Sequence, residues 1–295
     1  MGATPSGEGN AAGIGTLYVV ATPLGNLGDL SPRAADVLRA VDLIAAEDTR
    51  RVARLLAHLK VNRPTTSFHS YSSEDKLRGL VERLARGQKV ALVSDAGTPC
   101  ISDPGAELVA AAWEIGAPVV PVPGPCAAVA ALAASGFPAG RFLFAGYVPR
   151  HASQRREFLA GMLRQPWPVV LYEAPGRVAT LLADLALLAQ PDRQVLVGRE
   201  LTKLHEEMLR GKVGDVAAAW EDATARGEVT VVIAPGQQAA AEAGAAEASA
   251  LAAWLAREGL PPGRIAAALT RLCGLSRAEA YEKAQAAARA ERPRL

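Results

Sequence analysis

Three cysteines in 295 residues, Cys100, Cys126 and Cys273, are too few and too far apart for a disulfide framework, and without a C-x-x-C pair they form no zinc site. A reducing cytoplasm is the expected compartment. No run of 18 apolar residues occurs, so no segment is expected to span a membrane, and residues 1–15 lack the charged start and apolar stretch of a secretory leader. Residues 1–6 (MGATPS) fit the N-myristoylation pattern, which in a Gly/Ala/Ser tail reads as chance. Charge is nearly balanced at +2, which points to no class of partner. Several motifs are missing as well. No G-x-G-x-x-G opens a helix after the first strand, and G-x-x-x-x-G-K-[ST], G-x-S-x-G and H-E-x-x-H do not occur. Dinucleotide, nucleoside triphosphate, esterase and zincin readings therefore lose their main support. His58, His69, His151 and His205 are scattered, so no metal site is expected.

With 50% hydrophobic and 21% charged residues, the chain is a globular protein long enough for two domains. Apolar, β-rich runs at 16–21, 43–46, 65–69, 89–94 and 118–121 alternate with helical patterns at 31–40, 49–59, 74–86 and 104–115. Such alternation predicts parallel strands joined by crossover helices. Ser31-Pro32 and Asp103-Pro104 each read as an N-cap followed by a proline at the first helical position. A Pro/Gly-rich passage around an Ala-rich helix at 127–134 marks a domain junction near Gly136. Strands resume at 142–148, 169–173, 194–199 and 228–234.

The expected organisation is therefore α/β: a tail at 1–15, one α/β domain over 16–135, a second over 136–236, and an Ala-rich linker at 237–250. Residues 251–295 follow as a helical unit with helix-turn-helix layout, with helices at 251–258, 262–273 and 276–290. That unit holds eight Lys/Arg against four Asp/Glu. The excess suits an RNA-docking accessory, with a structural cap as the alternative.

Chemistry concentrates in four loops that follow strands, and in parallel sheets ligands bind at that edge. They span residues 22–29, 47–51, 94–105 and 122–127. Turn formation accounts for their glycines and prolines but not for the adjacent Glu47-Asp48 or for two Asp-containing turns in the third loop. Asp95 is the best candidate for an acid that meets the hydroxyls or amino group of a cationic ligand. In the second half, residues 199–207 (RELTKLHEE) crowd charges directly after a strand.

Residues 17–29 (LYVVATPLGNLGD), 46–50 (AEDTR), 93–105 (VSDAGTPCISDPG), 120–127 (VPVPGPCA) and 198–207 (GRELTKLHEE) resemble, in order and spacing, the ribosomal RNA small subunit methyltransferase I family of the tetrapyrrole methylase fold. The resemblance covers roughly 16–236. It implies two α/β domains with S-adenosyl-L-methionine held in the cleft between them, a homodimer, and 2′-O-methylation of a cytidine ribose in the decoding region of 16S rRNA within the small ribosomal subunit. Cofactor contacts carried over from the fold fall on Pro23, Asp95, Ala96, Gly97, Ile101, Cys126, Ala127 and Tyr172. The chain departs from the family pattern at Ser72-Ser73, at Gly176 where a histidine is usual, and at Cys126 where a near-isosteric serine is usual.

A ribose hydroxyl loses its proton as it attacks a methyl group, so a general base is expected. Glu47, Asp48 and Glu206 are the candidate acids, with Arg50 and Lys203 as phosphate or oxyanion partners. Two other functions remain open: methylation of a corrinoid or other tetrapyrrole, and a non-catalytic RNA-binding role in ribosome assembly.

Overall fold

A computed structural model describes residues 13–221 and 227–290; the residues carrying the myristoylation pattern lie outside them. The first half is an open, all-parallel sheet. Its strands are β1 (Leu17–Val20), β2 (Leu43–Ala46), β3 (Thr65–Ser67), β4 (Val90–Val93) and β5 (Val119–Val122), in the order β3-β2-β4-β1-β5. Every residue of β2 and β4 is buried, as expected of unbroken aliphatic runs covered on both faces. Helices α1 (Pro32–Ala40), α2 (Thr49–His58), α3 (Glu74–Ala85) and α4 (Ala106–Glu114) make the crossovers. Ser31 caps α1 as expected, accepting the Ala34 N–H at 3.1 Å.

The start of α4 differs from the expectation. Asp103-Pro104 does not cap it; the helix begins at Ala106 behind Gly105, whose φ of +127° only glycine adopts readily. A Cβ at Gly105 would lie 2.5 Å from Leu92 Cδ2, so the chain turns against β4 before it enters the helix. Asp103 is thereby released to face elsewhere.

Helix α5 (Ala127–Ser135) follows β5 in sequence but packs on the second sheet, with Ala128, Ala131 and Leu132 against Val170, Leu196 and Val232. In packing terms the boundary between the halves lies in the turn before α5 rather than at Gly136. The second sheet comprises β6 (Leu143–Tyr147), β7 (Val169–Glu173), β8 (Gln194–Arg199), β9 (Glu207–Lys212) and β10 (Val229–Ile233), in the order β6-β7-β10-β8-β9. Only β6 and β7 run parallel; the other three pairings are antiparallel. Helices α6 (Ala152–Leu163), α7 (Val178–Leu188) and α8 (Val213–Glu221) accompany this sheet. Its core includes Leu159, Leu181, Leu185, Val195 and Trp220.

The segment expected as a linker at 237–250 is helical. It belongs to α9 (Gln237–Arg257), which packs with α10 (Pro262–Cys273) and α11 (Arg277–Ala290). The stretch whose Ala, Glu, Gln and Gly composition reads as a linker, in part helical, is helical throughout, because alanine is the strongest helix former. Ala248, Ala252, Ile265, Leu269, Ala280 and Ala284 form a core private to this unit. Ser276 and Glu279 close a reciprocal cap on α11, the Ser276 N–H donating to Glu279 Oε2 at 3.0 Å. An Arg141–Glu247 ion pair ties α9 to the body. No helix among the described residues is long and apolar enough to cross a membrane.

Candidate active site

All the first sheet's strand-end loops open on one edge, and the second sheet turns an edge toward them. A cleft of about 430 Å³ lies between, within the range of small-molecule sites. The first half lines it with Leu24, Glu47, Arg51 and residues 95–98, 101–103, 126 and 127; the second with Tyr147 and residues 172–175 and 228–230. Asp95, Ala96, Gly97, Ile101, Cys126, Ala127 and Tyr172 thus come together as the sequence anticipates. Pro23 does not line the cleft, and its neighbour Leu24 does.

Three loops are laced into one wall. Thr22 and Gly97 exchange backbone hydrogen bonds of 2.8 and 3.0 Å, and Thr98 Oγ1 donates to the Pro125 carbonyl at 2.9 Å. Gly97 sits at φ +87°, and a Cβ there would lie 3.2 Å from Leu24 Cδ2, so backbone forms the surface where a side chain would otherwise intrude. Cys100 at φ +70° and Ser102 at φ +60° are left-handed without being glycine, a strain that concentrates at ligand-binding loops. Their turns carry Asp103 into the cleft. On the opposite wall the Ala128 N–H donates to the Tyr172 hydroxyl at 3.1 Å.

The cleft is acidic. Glu47, Asp95, Asp103, Glu173 and Glu228 line it, and Arg51 is the one Lys or Arg among the described lining residues. Asp95 is held at both oxygens: Oδ1 accepts the Asp48 N–H at 2.9 Å and Oδ2 lies 3.3 Å from Arg51 Nε. Burial, and then the charge of Asp95, push the Glu47 carboxyl above its ordinary range. Burial, and then the charge of Glu47, push Asp103 up to about 6 against a lowering hydrogen bond from Ser94. Glu173 is 2% exposed, and burial raises it too. Its Oε1 accepts the Ala174 N–H, while Oε2 lies 3.1 Å from Arg177 Nη2 without hydrogen-bond alignment.

The other sequence candidates stand outside the cleft lining, engaged with their own neighbours. Asp48 caps α2, accepting the Arg50 N–H at 2.8 Å, and its two carboxylate oxygens also take the Arg50 guanidinium. The Arg50 side chain holds the Asp48 carboxyl down to about 2, which makes it a poor base. Lys203 Nζ reaches Glu200 Oε1 at 2.8 Å and Glu228 Oε2 at 3.2 Å, bracing the turn behind the cleft. Glu206 accepts the Thr202 N–H within that turn. Of the five catalytic candidates only Glu47 lines the cleft. Sequence reasoning missed Asp103, Tyr147, Glu173 and Glu228 as site residues. The second Asp-containing turn was the available signal for Asp103; none marked Glu228, which precedes a strand.

Residues 16–217 match the family described as Tetrapyrrole (Corrin/Porphyrin) Methylases. The chain belongs to the tetrapyrrole methylase family. Among its relatives in this family, the Ribosomal RNA small subunit methyltransferase I of Synechocystis sp. is 45% identical over 221 residues, covering 75% of this chain and 79% of that one. The protein of the same name from Escherichia coli O157:H7 is 41% identical over 272 residues, covering 92% and 94%. A third, from Thermotoga maritima, is 43% identical over 220 residues, covering 75% of this chain and 98% of the relative. Tetrapyrrole methylases of known structure share the fold. Uroporphyrin-III C-methyltransferase from Thermus thermophilus, complexed with S-adenosylhomocysteine, superposes with a TM-score of 0.53 at 20% identity, covering 76% of this chain and 98% of that one.

Proposed function

We propose that this protein is an S-adenosylmethionine-dependent methyltransferase that acts on the 2′-hydroxyl of a cytidine ribose in the decoding region of 16S rRNA, as a cytoplasmic homodimer. The observation that carries the reading is identity of 41% over almost the whole chain to a relative named as a small-subunit rRNA methyltransferase; the cytidine 2′-hydroxyl as target rests on the family resemblance of the sequence.

The cleft's donor set fits the cofactor. A ligand positive at its sulfonium and amino groups suits a pocket with five carboxylates and one arginine. The buried Glu173 Oε2, lacking an aligned hydrogen bond, and the open backbone at Gly97 add a polar anchor and a close surface. Asp95, Ala96, Gly97, Ile101, Cys126, Ala127 and Tyr172 would hold it. When bound, the cofactor supplies an electrophilic methyl group.

The chain's own contribution is orientation and proton acceptance. The proton leaving the ribose hydroxyl needs an acceptor in the cleft, and Asp103 is the best placed. Asp95 is tied to Arg51 and Asp48, whereas Asp103 has no ion pair among the described residues and lies in the field of Glu47, Asp95 and Glu228. A base near 6 is ionised at neutral pH and accepts a proton more readily than an ordinary carboxylate. Glu47, raised in the same way, is the second acceptor.

The acidic cleft disfavours the tetrapyrrole alternative for any macrocycle bearing several carboxylates, because like charges would meet in a poorly hydrated space. A non-catalytic assembly factor is separated by cofactor binding, which it would not need.

The test is mass mapping of methylated nucleotides in small-subunit rRNA from a strain lacking the protein, with restoration by purified protein and S-adenosylmethionine. Loss and recovery of one 2′-O-methylcytidine is expected. An unchanged methylation pattern would overturn the reading.

A further inference from the structure

The interior of the cleft and the flank that leads away from it along α2 carry opposite charge. Between Asp48 and Glu74 the chain has 25 residues with five Lys/Arg and no acid. This stretch forms α2, the turn after it, β3 and the approach to α3. Val52, Leu55 and Leu56 bury one side of α2. Arg50, Arg54 and His58, each four residues from the next, share the exposed side. Lys60 and Arg63 continue the exposed series beyond the helix. Arg54, Lys60 and Arg63 make no salt bridge among the described residues, whereas Arg39 in α1, Arg78 in α3 and Arg86 just after α3 pair with Asp36, Asp75 and Glu82.

The track begins at the cleft, because Arg51 lines it. Beyond β3, His69 Nδ1 accepts the Tyr71 N–H at 3.2 Å, and the Tyr71 ring is 94% exposed. Unpaired cations along α2 and before β3, with an exposed aromatic ring beyond it, are the pattern of a nucleic-acid surface, with phosphates on the cations and a base on the ring.

We propose that α2 and the turns flanking β3 form the surface on which the RNA substrate docks, with Arg54, Lys60 and Arg63 neutralising phosphates and Tyr71 stacking on an unpaired base. This rests on the rRNA methyltransferase reading and locates the substrate's path into that site. The segregation has a physical logic: acids inside the cleft favour a cationic ligand, and cations on the flank beside it draw the polyanion. Docking on the body also accounts for the T. maritima relative, in which 220 aligned residues are 98% of the chain, leaving no room for counterparts of all three C-terminal helices beside a complete α/β body.

The experiment measures binding and methyl transfer by the full chain, and by Arg54→Gln with Lys60→Asn and Arg63→Gln, on 30S subunits and on protein-free 16S rRNA across a salt series. Asparagine suits position 60, which has a φ of +53°. Affinity for both RNAs should fall at least tenfold at fixed salt, and the slope of log affinity against log salt should be shallower by about two. The melting temperature and S-adenosylhomocysteine affinity should not change. Arg63→Gln alone, confined to a turn, should shift the slope by roughly one-third of that amount, and Arg54→Lys with Arg63→Lys, which keeps all three cations, should leave it at the wild-type value. Tyr71→Ala should weaken binding on the order of fivefold or more at unchanged slope. Wild-type affinity and slope in the triple variant would overturn the proposal. So would a loss confined to 30S subunits, which would mark a ribosomal protein as the partner. A wild-type chain that binds RNA with the expected slope but transfers no methyl group would overturn the enzymatic reading instead.

Discussion

In the first sheet all five strands run one way, whereas in the second only one pairing of four is parallel. The first therefore delivers every post-strand loop to one edge, and reading the chain forward from each strand end finds the site. The second builds its cleft-facing edge from the end of β7, the end of β8 and the start of β10, since Val229 pairs with both Glu173 and Arg199. A residue before a strand there counts as much as one after it.

The largest expected effect lies on the parallel side. Asp103→Asn should lower kcat roughly 10²–10⁴-fold while leaving cofactor affinity within about threefold, measured by methyl transfer and calorimetry. The wild-type rate should rise with pH through about 6, because the neutral carboxyl cannot accept a proton, and this limb should vanish in the variant. A variant with full activity would return the proton to Glu47.

Next in size is a stability effect on the mixed side. Asp184 on α7 is buried between Arg155 Nη2 at 2.7 Å and Arg156 Nε at 2.8 Å. Asp184→Ala strands the buried Arg155 and should cost about 3–5 kcal/mol, lowering the melting temperature on the order of 10 °C. Burial pushes this carboxyl up, but Arg156 and Arg155 outweigh it and hold it below its ordinary value. The resulting stability is present above the ordinary value of 3.8 and is lost as pH falls through the lower folded value, so wild type and variant should converge in acid melts.

A smaller effect tests whether the start of β10 belongs to the site. Glu228→Gln removes one partner of Lys203 and one cleft carboxylate. Its exposure keeps the stability change below about 1 kcal/mol, and cofactor affinity should fall roughly threefold; no change would confine the mixed sheet's role to β7. The smallest effect is expected from truncation after Gly236, because α9–α11 bury a core of their own. Cofactor affinity should stay within about twofold. A collapse of the melting temperature would show these helices capping the second sheet.

Legibility in the sequence followed the same divide. Long aliphatic runs and the Ser31-Pro32 cap made the parallel half readable, and so did the Gly-rich loop around Asp95. Asp103-Pro104 misled because the dipeptide has the chemistry of a cap, while Gly105, with its positive φ, sets the helix start. Strand β9 was hidden because Glu207–Lys212 is an edge strand whose charged residues look like a solvated turn; there Arg199 pairs with Glu207 at 2.7 Å. The catalytic candidates Asp48, Arg50, Lys203 and Glu206 have the right chemistry, but composition does not tell whether an acid finds a base beside it or a ligand in front of it.

Helix α5 governs how the cleft can move. It is clamped to the second sheet through Leu132 and through the Arg210 Nε bond to the Ser135 carbonyl at 2.7 Å, so Cys126, Ala127 and Tyr172 travel as one rigid body. The chain passes from β5 into that body through the Pro123-Gly124-Pro125 turn. Two prolines there fix φ, and a Cβ at Gly124 would come within 2.9 Å of Ala21, so the pivot is itself seated on the first sheet. The hinge is stiff. A pivot restrained in this way has less conformational entropy to lose when a ligand enters the cleft.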